Sequence, residues 1–458
     1  MNKYLSVFIS CGVVVAGWAG YAAFYASDSH SHGWVPVVHL PFDSHVIDLQ
    51  ISNEEHAVQR DPYGALGWSM LCSTYMNRSR ESDDLATAVK AEAAAKRSLE
   101  LRIMGNVGAW NKLVQALLQE HRFKDALSQC EAAERAGINS DDTTVLHSEC
   151  LIEVGRYDDA GLIISKNPRA FDNPAGKSVV ARMLDISGKP DQAIKLMRQA
   201  TSEIDLNGGM PSDAIAWFHT RLAIQLAKAG QHVASRQEFE TALKMYPRDY
   251  KAMAGLARLS VQDGEWQQAV DWGLRSDAVA QLPDVRALVG DAYEMLGEMT
   301  KAEEQYQRVA ALVGRPSGMN DGLHELNPAA GTHGHRLDRL YAVYCADHNR
   351  DLDGAYAAAV RDFDARHDIY AYDTLAWVCF KKGDVSEAQK GIDKALERGT
   401  RDPMLWYHAG EIYAGIGETD KASQYLKGAL AIDPQFDGIA AKRAANTLQA
   451  LEANRKIK

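Results

Sequence analysis

Apolar and small residues recur along this chain at helical spacing, and the stretch from Pro403 to Pro434 shows it most plainly. Trp406, Ala409, Gly410 and Tyr413 fall at i, i+3, i+4 and i+7, which is one face of a helix. Ala422, Leu426 and Ala429 share a face in the same way after Gly417, and Pro434 stops the second helix. Two short amphipathic helices joined at a glycine cannot bury their apolar sides alone. The pattern therefore calls for neighbours of the same kind.

Those neighbours are legible. Gly155, Gly188, Gly230, Gly264, Gly297, Gly383 and Gly417 each close a first helix, and His121 holds that place in an earlier unit. Five residues on stands an alanine, at Ala126, Ala160, Ala193, Ala269, Ala302, Ala388 and Ala422, with Ser235 in the remaining unit. The steps are 34 (126 to 160), 33 (160 to 193), 33 (269 to 302) and 34 (388 to 422). Ten units follow, near 65–101, 107–140, 141–173, 174–210, 216–249, 250–282, 283–314, 335–368, 369–402 and 403–434. The first has a lengthened second helix, read over Glu81–Leu101, and the eighth carries one extra residue at its turn. A helix over 45–61 precedes them, and a polar helix from Ile439 to about Asn454 closes the far end within a 435–458 cap. Pro, Gly and Asn make 313–335 an inserted loop between arrays at 45–312 and 336–434.

The order Trp, small, Tyr, Gly, Ala, bulky, Ala, Pro in 403–434 resembles the tetratricopeptide repeat (TPR), a helix–turn–helix of about 34 residues. The resemblance covers roughly residues 45–450. It implies an all-α, right-handed α-solenoid of about ten helix pairs, with the first helix of each pair lining a concave groove. Within the superfamily the chain is similar to bacterial membrane-tethered or exported multi-repeat members. That likeness implies a non-enzymatic adaptor that binds partner proteins or peptides and supports complex assembly.

Composition agrees with an all-α chain too long for one compact core, at 458 residues with 46% hydrophobic and 24% charged positions. A net charge of −11 argues against a nucleic-acid partner, which usually meets a basic footprint. No GxxxxGK[ST], HExxH or GxSxG occurs, nor a GxGxxG opening a helix after a strand, so no catalytic residue, cofactor or metal site is assigned. The pairs Asp83-Asp84, Asp141-Asp142 and Asp158-Asp159 stand at helix starts, where carboxylates favour the helix dipole.

Residues 4–26 form an uncharged, mostly apolar run long enough to span a bilayer, after Lys3 and before Asp28. The run reads as a membrane anchor with the repeats exported to the periplasmic side. The alternative is a signal cleaved after Ala22, leaving a secreted or periplasmic protein. Residues 27–44 read as an extended linker. Its His30, His32 and His39, with His45 and the loop residues His324, His333 and His335, suggest an alternative role in handling a metal or small ligand. Cys72, Cys130, Cys150, Cys345 and Cys379 show no disulfide spacing and read as free core thiols.

Groove positions carried over from the resemblance give Asp142, Val145, Glu149 and Glu153 in the third repeat, an acidic patch. Arg182, Trp217, Lys228, Lys251 and Arg258 follow in the fourth to sixth. The candidate partner-binding set is Arg336, Arg339, Tyr370, Asp373, Trp377, Lys381, Tyr407 and Glu411. Aromatic faces flanked by Arg and Lys hold an extended peptide by stacking, cation–π contact and charge pairing. The alternative is that Tyr370, Trp377 and Tyr407 plug gaps between helices. The Lys/Asn clamp of chaperone-binding TPR domains is not reproduced, because Asn111 and Gln115 lack basic partners in the pattern. Self-association through repeat edges is a further expectation left open.

Overall fold

A computed structural model of the chain describes residues 44–207, 210–313 and 337–457. Among them every regular element is helical, with no β-strand. Ten antiparallel pairs follow in sequence order. They are Ala65–Ser82 with Leu85–Leu101, Val107–Gln119 with Phe123–Arg135, Asp141–Glu153 with Tyr157–Lys166, Pro174–Ile186 with Pro190–Asp205, and Ser212–Lys228 with His232–Met245. Then come Tyr250–Gln262 with Trp266–Asp277, Pro283–Met295 with Met299–Val313, Asp338–Asp347 with Leu352–Ala365, Ile369–Lys382 with Val385–Leu396, and Pro403–Gly415 with Thr419–Ile432. Ser44–Arg60 packs on the first pair and Ala440–Ile457 on the last.

Small residues set how closely the helices approach. Ala126, Ala160, Ala193, Ala269, Ala388 and Ala422 are wholly buried, and Ser235 in the same place donates its hydroxyl to the Ala223 carbonyl at 2.8 Å. Gly255, Gly290 and Gly428 lie directly against the rings of Phe239, Tyr306 and Trp406, where a methyl group would collide. The turn glycines adopt φ between 70° and 88°, and His121 (57°) and Asn349 (52°) take the same left-handed place in the second and eighth pairs.

The first pair departs from its expected boundary. Asp83 turns left-handed at φ 60° and Asp84 caps the second helix, accepting from the Ala86 N–H at 3.0 Å. Glu81 and Ser82 therefore end the first helix, and the extra length is shared between helices of 18 and 17 residues.

The array coils until it meets itself. The turn of the third pair, at Gly155, lies on the His367 carbonyl between the eighth and ninth pairs. Gly188 of the fourth lies on the Gly399 carbonyl between the ninth and tenth, and Gly230 of the fifth on the Ile432 carbonyl after the tenth. Each contact steps up one repeat on both sides, so the second coil rides on the first in register. Polar bonds follow the same seam. Arg398 grips Asp158 with two bonds of 2.6 and 2.7 Å, the Ile369 N–H donates to the Tyr157 hydroxyl at 2.9 Å, and His232 Nε2 meets Asp433 at 2.7 Å. Lys124 reaches the Asp364 carbonyl, and Gln262 donates to the Phe436 carbonyl at 2.8 Å.

All five cysteines named above are buried free thiols, with the Cys130 and Cys150 sulfurs 3.8 Å apart. Among the described residues no helix is long and apolar enough to cross a membrane. The apolar run 4–26, the linker histidines His30, His32 and His39, and the loop with His324, His333 and His335 lie outside the described residues.

Candidate functional site: an enclosed concave face

Closure of the coil turns the concave face into three successive chambers. Helix Ser212–Lys228 borders the first through Asp213 and Trp217 and the second through Ile224 and Lys228. Helix Ile369–Lys382 borders the second through Tyr370 and Asp373 and the third through Trp377 and Lys381.

The first chamber, about 710 Å³, belongs to the N-terminal repeats. Trp217 stands 38% exposed there, and the Arg221 guanidinium lies over its ring at 5.4 Å from the centroid. Asn111, Gln115 and Arg80 face the same space. The acidic patch read from the sequence is partly neutralised, because Arg182 bonds Glu153 at 2.5 Å. Burial works against ionising Glu153, yet Arg182 and Arg366 hold its carboxyl down to about 2. Burial pushes Glu149 up, and the Glu153 charge adds to that.

The second chamber, about 640 Å³, has a mainly apolar wall that includes Ile224, Leu259, Leu340, Val343, Met404 and Phe436. Lys228 Nζ reaches across it to Asp185 at 2.8 Å, the Tyr370 hydroxyl at 2.9 Å and Asp402 at 3.0 Å. Arg339 bonds Asp362 at 2.9 Å and Asp368 at 2.7 Å, with its guanidinium 5.7 Å from the Tyr370 ring centre. The third chamber, about 600 Å³, is lined by residues of the seventh to tenth repeats and the terminal helix, among them Arg350, Lys381, Glu411 and Arg443.

A stacked pair separates the second and third chambers. Trp377 faces the third and His408 the second, with ring centres 4.2 Å apart and planes 15° from parallel. Trp377 Nε1 donates to Asp347 at 2.8 Å, and His408 Nδ1 meets Asp373 at 2.9 Å. Burial alone would lower the His408 pKa, but the Asp373 carboxylate outweighs it and raises it.

The eight residues of the expected set are thus divided. Arg336 lies outside the described residues. Arg339 and Tyr370 line the second chamber, and Lys381 and Glu411 border the third, with the Lys381 ammonium 5.0 Å from the Trp377 ring centre. Trp377, Tyr407 and Asp373 are 1%, 3% and 5% exposed. This corrects the expectation of an open aromatic face there: the rings fill the partition and the carboxylate holds His408, as the gap-filling alternative would have it. Sequence reading passed over His408 and the Lys228–Asp402 pair. Lys228 is recognisable as inward-facing, but Tyr370 of the ninth repeat and Asp402 at the start of the tenth reach it only once the coil closes.

The helical pairs have counterparts elsewhere. Profiles described as tetratricopeptide repeat match residues 220–283 and 405–436. The chain carries tetratricopeptide repeats. TPR arrays serve as protein-interaction scaffolds, and the repeats place this chain in that class. Protein CTR9 homolog of Arabidopsis thaliana is 22% identical over 340 residues, covering 69% of this chain. The chain spans 28% of the length of that relative. Among solved structures, the APC/C hetero-tetramer Cut9-Hcn1 matches with 12% identity and a TM-score of 0.30, over 84% of this chain and 96% of that one. The human IFIT1 dimer with PPP-AAAA matches with 13% identity and a TM-score of 0.45, over 84% and 87%.

Proposed function

We propose that this TPR chain is a non-enzymatic scaffold that takes an extended segment of a partner protein in its first chamber. The observation that carries the reading is the Trp217–Arg221 pair. A tryptophan 38% exposed on a concave face, with an arginine stacked on it, is the kind of anchor that dominates interface energies. Polar Asn111 and Gln115 stand nearby to bond a peptide backbone. Lys381 and Glu411 border the third chamber and form a separate polar surface within the set expected in repeats eight to ten.

The test places a photo-crosslinking residue at position 217 in one full-length variant and at the exposed Val233 in another, in the native cell. One discrete protein captured from 217, and lost when Arg221→Ala is added, is the expected result. Equal capture from both positions would reject the site. We further propose that residues 4–26 tether the scaffold to a membrane with the repeats on the exported side. Support comes from the length and lack of charge of that run. Release of the full-length chain into the soluble fraction by simple cell lysis would contradict the tether.

A further inference from the structure

We infer that the second chamber is a binding site for a small amphipathic molecule, an apolar chain ending in a hydrogen-bond-accepting head such as a carboxylate. The site is separate from the partner surface of the first chamber and does not depend on it. Four observations converge. At about 640 Å³ the space falls in the range of small-molecule sites, roughly 300–1,000 Å³. Its wall is largely aliphatic and aromatic, through Ile224, Leu259, Leu340, Val343, Met404 and Phe436.

Its fixed charges already answer one another. Lys228 is occupied by Asp185, Asp402 and Tyr370, Arg339 by Asp362 and Asp368, and Arg258 by Asp284. A strongly charged guest would find no counter-charge waiting, so the body of the ligand is apolar. One buried nitrogen remains unanswered, beside two unpartnered acceptor oxygens, Gln262 Oε1 and Asp284 Oδ1. His408, 2% exposed, lines the chamber with Nδ1 held by Asp373, while Nε2 has no hydrogen-bond partner. The Asp373 carboxylate favours the imidazolium, in which Nε2–H is a donor that is costly to leave buried and unmade and that a single acceptor on a ligand would satisfy.

The experiment is calorimetric titration of the purified full-length chain with decanoate and, separately, with methyl decanoate, both below micelle formation. Decanoate binding at one molecule per chain is the expected result. The ester shares the apolar body and a carbonyl acceptor, so weaker saturable binding of the ester identifies the charged head as the preferred one. Ester binding at least as tight as decanoate would overturn the carboxylate assignment. His408→Asn keeps a donor near Asp373 and removes Nε2. It should weaken decanoate about 10-fold or more, the equivalent of one lost hydrogen bond to a charged group. Val343→Trp fills the chamber and should abolish binding of both. Circular dichroism checks that each variant folds. Wild-type chain that takes up neither ligand, or that takes up several without saturation, overturns the inference whatever the variants do.

Discussion

The turns at Gly188 and Gly417 have the same job within their repeats and different fates in the coil. Both glycines close a first helix with positive φ, 71° and 82°. Gly188 also rests on the Gly399 carbonyl of the next coil, as Gly155 and Gly230 rest on carbonyls of theirs, while Gly297, Gly383 and Gly417 have nothing within 4 Å of where a side chain would begin. The first group is held to glycine twice over, by backbone conformation and by contact. The second is held once. A repeat signal thus tells where the chain turns, and says nothing of which turns become a seam.

Substitution breaks the comparison open. Gly188→Ala should cost roughly 2–5 kcal/mol, the sum of left-handed strain and overpacking against a backbone that cannot yield. Gly417→Ala should cost only the strain, about 1–2 kcal/mol. Chemical denaturation of the two variants checks the gap, and equal losses would mean that the seam contributes little. Lys228→Met comes next, at about 2–4 kcal/mol, because it leaves Asp402 and Asp185 without their cation inside a partly enclosed chamber. It should also loosen the fifth repeat from the tenth, which limited proteolysis would reveal as new cuts on both sides of the seam.

Acidity sharpens the same contrast. A hydrogen bond to the Asp433 carboxylate raises the pKa of His232 at the seam, against the effect of burial. Within one repeat's surroundings, burial would lower the His219 pKa, but Asp205 and Glu238 outweigh it and raise it to about 9. A raised folded-state pKa means stability that is complete below the ordinary histidine value near 6.5 and lost as pH rises through the folded value. Melting temperature should therefore fall between pH 6.5 and 9. His219→Gln should flatten most of that slope, on the order of 2–3 kcal/mol in all, and His232→Gln should remove the part that shows in seam proteolysis. Smallest of all is Arg398→Ala. Its partner Asp158 is a fully solvated surface carboxylate, so the melting temperature should barely move.

Much of the fold was legible because stacking leaves a periodic mark. Ala126, Ala160 and Ala422 are small where helices touch, and the register marks His121 as a glycine substitute, in keeping with its φ of 57°. The boundary in the first pair was misplaced because Asp83-Asp84 spells both a left-handed turn and an N-cap, and neither residue interrupts helical periodicity. The site was less legible. Groove positions in an open solenoid face solvent, and on that basis Trp377 and Tyr407 were expected to meet a partner. Trp377 is buried by contacts with Asp347 and His408, and Tyr407 by contacts with Trp377 and Phe436; these join separate repeats and the terminal segment and so have no local signature. Trp217 keeps its exposure because its helix borders the wide first chamber.

Zero-length carbodiimide cross-linking of the wild-type chain, followed by peptide mass spectrometry, tests coil closure most directly. The reagent joins a lysine to a carboxylate only where the two touch. Closure predicts a linked peptide pair containing Lys228 and Asp402, 3.0 Å apart and five repeats distant along the chain. Links confined to single or adjacent repeats, such as Lys177 with Glu203 within the fourth, would mean an open solenoid and would contradict the enclosed concave face.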